Sequence, residues 1–196
     1  HAIREAGVEI REGESASVET EPPRVNDPEY DDVVVAAGAH TKAVLAEAGV
    51  SVPLKPYRVQ ALTADAPGEG LPTVYDATAG YYARPHPEGL LAGDGTEPVE
   101  ADPDGYDRDG DDWFVAAVDD RLRDRFPGYE PDVERAWAGL CTATPDRDPL
   151  LGELREGLYV AAGWQGHGFM RAPATGEAIA EQVLGGDGIP EFDPTR

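Results

Sequence analysis

The sequence predicts an α/β layer joined to an antiparallel α+β domain, and three stretches carry that expectation. Residues 33–38, VVVAAG, form an unbroken apolar run of the kind buried on both faces of a parallel sheet. Residues 157–186 pass from a short apolar run through a glycine-rich turn into a helical pattern. Between them, residues 57–63, 81–84 and 90–92 have the strand character of an antiparallel sheet, and Pro53 and Pro56 mark the change.

Taken in order, residues 2–6 suggest the last turns of a helix stopped by Gly7. Val8, Ile10 and Val18 suggest a strand that runs through a polar turn at residues 21–24 towards a partner. The 33–38 strand ends in small residues, Ala36, Ala37, Gly38 and Ala39, which let a ligand approach the carboxyl edge of a sheet. A helix over residues 41–48 closes that unit at Gly49. Residues 86–89 make the hairpin turn of the middle sheet.

The acidic loop at residues 102–112, DPDGYDRDGDD, invites a calcium reading that its spacing refuses. Counted from Asp107, Asp112 stands where the invariant glycine belongs and Val118 where the bidentate glutamate belongs. No metal site is expected, and the loop is read as a solvated cap for the helix over residues 112–126. That helix puts Phe114, Val118, Leu122 and Phe126 on one stripe facing the antiparallel sheet. Residues 135–144 are expected to return the chain to the first layer, and 145–152 to link into the closing strand.

In the late stretch, residues 158–162 are a buried strand, and Gly163, Gly166 and Gly168 leave the backbone beside Trp164, Gln165 and His167 open. The helix is expected from about Ala174, with Ile179, Val183 and Leu184 on one face and Gly185 and Gly186 as its stop. A strand, a glycine-rich turn and a helix in that order make an anion or cofactor site, because unpaired amides and the positive end of the helix dipole point out of the helix start.

Acidic residues number 39 against 16 basic, a net charge of -23, and the only lysines are Lys42 and Lys55. Such a surface repels nucleic acid and anionic membranes. The acid is spread along the chain, which points to the cytoplasm of a halophile, where dense carboxylates keep a protein hydrated and salt screens their repulsion. Cys141 is the single cysteine, so no internal disulfide forms. No apolar run approaches the ~20 residues of a membrane span. The glycines at 163, 166 and 168 run GxxGxG, the reverse of the dinucleotide fingerprint, and no Walker loop, HExxH, CxxC or GxSxG is present.

Residues 144–152 (TPDRDPLLG) and 163–177 (GWQGHGFMRAPATGE) resemble the C-terminal signature of FAD-dependent amine oxidoreductases: the D-amino-acid oxidase, glycine oxidase and sarcosine oxidase superfamily. GVEI at 7–10, DVVVAAGAH at 32–40, VPLKPYRVQ at 52–60 and YYARPHPEGLLAGDGTE at 81–97 extend the resemblance in the family's order. It implies an incomplete FAD-binding Rossmann-like layer, about 1–50 and 138–196, around an antiparallel-sheet substrate domain at 51–137 covered by helices. The family's opening strand and GxGxxG are absent, so the chain looks like a second half that lacks the N-terminal FAD-binding segment. It is expected, alone, to bind FAD weakly and turn over nothing. The first residue, His1, is not a methionine, so the opening is read as a cut or processed end.

The resemblance also implies roles. Ala36, Ala37 and Gly38 would pass under the FAD pyrophosphate and adenosine, and Gly163, Gln165, Gly166, His167, Gly168, Phe169 and Met170 would border the flavin ring. Tyr82 would face the ring as the active-site tyrosine, with Tyr81, Arg84 and His86 as neighbours. Cys141, in LCTATPD, is similar to the cysteine that bonds covalently to flavin in monomeric sarcosine oxidases. Glycine oxidases place a carboxylate-binding arginine there, and Met170 stands for a family lysine. The implied reaction oxidises a secondary amine or amino acid to an imine, with oxygen or an electron-transfer partner reoxidising FAD. The other class the sequence admits is a non-catalytic or subunit-docking module that keeps the fold without flavin.

Overall fold

A computed structural model describes residues 2–94 and 96–196. His1, where the sequence opens, and Gly95, inside the 81–97 match, lie outside the described residues. After α1 (Ala2–Glu5), β1 (Val18–Thr20) and β2 (Pro23–Val25) form an antiparallel ribbon. The strand expected at Val8 and Ile10 does not form. Both side chains stay exposed, so their alternation buries nothing.

The first layer is a three-stranded sheet in the order β3 (Val33–Val35), β10 (Leu158–Ala162), β9 (Leu150–Arg155). β3 and β10 are parallel, with Val35 opposite Val160, and β9 is antiparallel to β10. The expected link at 145–152 therefore already contains the start of β9. One face of this sheet packs on Leu45 of α2 (Thr41–Glu47) and on Val50 and Val52 just beyond it; Leu151 and Tyr159 meet Ile179 of α4 (Gly168–Val183) on the other. Val33 and Val35 are buried but Val34 is 41% exposed, so β3, at the sheet's edge, is covered on one face and not on both as expected.

The second layer is a five-stranded antiparallel sheet, ordered β5 (Val74–Asp76), β6 (Tyr81–His86), β7 (Gly89–Gly93), β4 (Lys55–Ala64), β8 (Val133–Ala143). Residues 138–143, expected with the first layer, continue the β8 ladder on β4 without a break, from Gln60↔Ala138 to Lys55↔Ala143. One face of the sheet is closed by α3 (Asp112–Arg125), whose Phe114, Val118 and Leu122 lock against Leu62, Tyr81, Ala83, Leu90 and Ala92. Each of those three helix side chains contributes about 2 kcal/mol by burial. The other face is left open, and the strand period of two decides which residues it shows.

The acidic loop does not cap α3 with a side chain. Asp111 occupies the N-cap position in extended conformation without a capping bond, and its carboxylate instead accepts bonds from Arg58, Gln60 and Trp113. Arg58 is buried beneath this loop, paired with Glu97 and Asp111 and donating to the Asp107 and Asp109 carbonyls. The loop thus crosses the sheet as a strap with a guanidinium as its pin.

α4 begins at Gly168, six residues before the expected start, with Pro173 inside it. Its first turn buries nothing: Phe169 is 97% and Met170 71% exposed, so no apolar stripe announces it. Its end is a Schellman turn, in which the amides of Gly186 and Gly185 donate to the carbonyls of Glu181 and Gln182. Leu184 points into solvent, off the face it was expected to share with Ile179.

The turn after β8 is held by Arg196, whose guanidinium pairs with Asp146 at 2.8 and 3.1 Å and holds that carboxyl at about 2. A carboxyl depressed on folding stabilises above its unfolded value, about 4, and loses that contribution as pH falls through its folded value. Arg196→Gln is therefore expected to lower stability at pH 7 and to move the acid-unfolding midpoint to higher pH, read by circular dichroism, with the difference between the two proteins closing as pH falls through about 2.

Candidate active site

The open face of the antiparallel sheet and the turn after β10 enclose a hollow of about 650 Å³. Strand alternation supplies its floor. Tyr57, Val59 and Ala61 come from β4, Tyr82 and Arg84 from β6, Leu91 from β7, and Trp137, Gly139 and Cys141 from β8. Across it stand Gln165, Gly166, His167 and Met170. Asp94 and Thr96 complete the rim.

Local geometry fixes each wall. Gly163 has φ +85° and donates from its amide to Thr142 Oγ1, and a Cβ there would come within 2.8 Å of Thr144. Gln165 takes φ +51°; its amide donates to the Thr142 carbonyl, and its side-chain amide to the Arg147 carbonyl. These bonds hem the turn to the end of β8, so it sits above Cys141; a Cβ on Gly166 would be 3.5 Å from the thiol. Among the described residues, the amides of Gly168, Phe169 and Met170 have no backbone acceptor. The first turn of α4 carries no carboxylate. The helix start therefore keeps its partial positive charge uncompensated.

Tyr82 leans across β7. A Cβ on its cross-strand partner Gly93 would lie 2.5 Å from the phenolic oxygen and 2.7 Å from the ring carbon bearing it. Burial raises the Tyr82 pKa; Arg84 pulls it down and Asp94 pushes it up, so the phenol stands in the fields of both charges. Burial first, and neighbouring Cys141 second, push Tyr57 up to about 12. Burial also raises the Cys141 thiol, against which the Tyr57 hydroxyl works. The phenols and the thiol are protonated near neutrality, so they act as hydrogen-bonding groups.

Of the residues singled out in the sequence, Tyr82, Arg84, Cys141, Gln165, Gly166, His167 and Met170 meet at the hollow. Ala36, Ala37 and Gly38 lie outside it but exposed, just beyond the carboxyl end of β3. Because β3 and β10 are parallel neighbours, that end and the Gly163 turn share one sheet edge. Gly168 packs on Trp164, and Phe169 projects into solvent. Two expectations are corrected. Tyr81 is 2% exposed, turned to the α3 side with Arg121 at 5.9 Å from its ring. His86 sits at the β6–β7 hairpin with its Nδ1 near the Glu88 amide, away from the hollow. Sequence reasoning missed Tyr57, Trp137 and Asp94; the alternation along β4 and β8 is the signal that places the first two.

A ligand edge on a partly parallel layer, facing an open antiparallel sheet, defines a two-layer cofactor-binding architecture. The chain belongs to the FAD dependent oxidoreductase family, whose model matches residues 1–182. It is 33% identical over 179 residues to 4-methylaminobutanoate oxidase (formaldehyde-forming) of Paenarthrobacter nicotinovorans, covering 83% of this chain and 21% of that protein. It is 32% identical over 159 residues to glycine oxidase of Geobacillus kaustophilus, covering 77% and 40%. Among solved structures, L-proline dehydrogenase from P. horikoshii superposes with a TM-score of 0.76 at 30% identity, covering 93% of this chain and 52% of that one. The chain thus spans about half of that structure and smaller shares of the curated relatives.

The residues present fit a flavin. Free amides and an uncompensated helix start suit its electron-rich edge, and the exposed Ala36–Ala37–Gly38 corner presents no bulky side chain to a dinucleotide. Among the described residues no group of three or more His, Cys, Asp or Glu is placed to hold a metal ion. No helix there is long and apolar enough to cross a membrane.

Proposed function

We propose that this chain supplies the substrate sheet and the flavin-edge turn of an enzyme that oxidises a secondary amine or amino acid to an imine, of the sarcosine, glycine or D-amino-acid type. The observation that carries the reading is the hollow itself, with Tyr82 on one wall and, on the other, the turn from Gln165 to His167 with Met170 in the first turn of α4. FAD, when bound, supplies the two-electron acceptor for the hydride that leaves the carbon next to nitrogen. The amides of Gly168, Phe169 and Met170 stabilise negative charge at the ring's edge, and more strongly as that charge grows. Ala36, Ala37 and Gly38 admit the dinucleotide close to the main chain. Tyr57, Leu91 and Trp137 give the floor an apolar and aromatic surface, which favours the neutral amine. Tyr82, kept protonated, offers a hydrogen bond to the substrate, and a substrate that binds deprotonated requires no strong base.

Holoprotein made from the complete reading frame, mixed anaerobically with sarcosine, glycine, proline and D-alanine in turn, tests this. Bleaching of the visible flavin band by at least one of them, with an imine-derived carbonyl product, is expected. Protein that carries no flavin, or flavin that none of them bleaches, favours the non-catalytic module instead. The covalent link at Cys141 has its own test in the same preparation: after acid precipitation, colour wholly in the supernatant removes it. The 196-residue chain by itself is proposed to bind FAD weakly and to lack turnover.

A net charge of -23 also bears on where the protein works. We place it in a high-salt cytoplasm, since screening relieves the self-repulsion of its carboxylates. The melting temperature is expected to rise steadily from low to molar KCl; a flat or falling profile contradicts the halophile assignment.

A further inference from the structure

We infer that Arg84 sets the charge of the substrate, anchoring a carboxylate at the rim of the hollow. The inference rests on the proposed reading of that hollow as the substrate site. Arg84 and Tyr82 stand two residues apart on one face of β6, which puts them about 7 Å apart along the strand. Arg84 is the one lysine or arginine among the residues lining the hollow. Leu91 is its cross-strand partner, and Val59, Trp137 and Met170 add apolar and aromatic surface elsewhere in the hollow.

Its guanidinium is also uncommitted. Arg24, Arg58, Arg123 and Arg196 each pair with a carboxylate, but among the described residues Arg84 has none. Its single hydrogen bond, 3.2 Å, goes to the carbonyl of adjacent Pro85. Other cations, Arg121, Arg135 and Arg155 among them, also have no carboxylate partner among the described residues, but none of those lines the hollow. A planar fork of donors matches a carboxylate at two points. Asp94, the anion of the same rim, lies one residue beyond Gly93, the cross-strand partner of Tyr82. A ligand that places its carboxylate at Arg84 therefore turns its nitrogen towards Tyr82 and Asp94. The influence of Arg84 on the Tyr82 phenol agrees with this shared space. Because Arg84 is exposed, salt screens the attraction.

Calorimetry with methoxyacetate and methoxyacetamide tests the inference. The two have the same shape, neither is an amine, and they differ in charge. With FAD added, and at the lowest salt at which the protein stays folded, the acid is expected to bind about tenfold more tightly than the amide. The gap should narrow as salt rises, vanish in Arg84→Gln, and survive in part in Arg84→Lys. Arg155→Gln, on β9, should leave it unchanged. Equal binding of acid and amide, no binding of either, or a gap that persists in Arg84→Gln overturns the inference. In a protein whose flavin is bleached by amines, such a result sinks the role of Arg84 alone; flavin that no amine bleaches sinks the wider reading.

Discussion

Replacing Arg58 by alanine is expected to cost about 3 kcal/mol or more, a fall of roughly 10 °C in melting temperature for a chain of this size. The reason is what the substitution leaves behind. Arg58 is 7% exposed, and its guanidinium meets Glu97, Asp111 and the carbonyls of Asp107 and Asp109. Alanine strands those acceptors beneath the strap, next to Gln60, which is itself bonded to Asp111 through both ends of its amide. Arg58→Lys should fall between the two, since one ammonium does not span partners on both sides of the fork. Glu97, the other carboxylate on Arg58, is three residues from Asp94 at the rim of the hollow, so loosened binding at the hollow should accompany the lost stability. Thermal melts in high salt decide it: an Arg58→Ala protein that melts with the wild type contradicts the pin.

The largest effect on chemistry is expected from Gly93→Ala, which should lower turnover about a hundredfold by displacing Tyr82 by about an ångström. The new methyl carbon has no room, being 2.5 Å from the phenolic oxygen. Relief comes by lifting the ring off β7 into the hollow, which leaves the α3 core untouched, so stability should change by about 1 kcal/mol or less. Two readouts separate this from general damage. In a Tyr82→Ala background, Gly93→Ala should add nothing further, as a double-mutant cycle requires of residues acting through one contact. The phenol's titration, raised by burial in the parent, should move down towards the ordinary tyrosine range in Gly93→Ala as the ring gains water. A full turnover loss that persists without Tyr82 contradicts the positioning role.

Where the chain repeats its signal locally, the sequence was a sufficient guide. The apolar stripe of α3, the β6–β7 hairpin and the strand into the Gly163 turn all follow from period and punctuation. What depends on distant partners was hidden. The face of β6 on which Tyr82 lies could not be chosen from the pair Tyr81 and Tyr82, because alternation sends one inward without saying which. It was settled by α3, whose Phe114 and Val118 pack in the same cluster as Tyr81. Arg58 has partners 39 and 53 residues away, so its burial had no local mark. Residues 138–143 at the end of β8, expected with the first layer, pair with β4 for the same reason: a strand's sequence states that it needs a partner and not which one. The α4 start failed for the opposite cause. A turn that keeps its amides open buries no side chains, so the part of the helix proposed to serve function left no hydrophobic trace.

The central claim is that main-chain donors at the start of α4 face a flavin across the hollow. Amide chemical shifts of isotopically labelled protein, followed as FAD is titrated in, test it most directly. Movement of the Gly166, Gly168, Phe169 and Met170 amides together with those of Ala37 and Gly38, while His86 and Tyr129 stay fixed, is the expected result. FAD that binds without moving the α4 amides, or that does not bind at all, contradicts it.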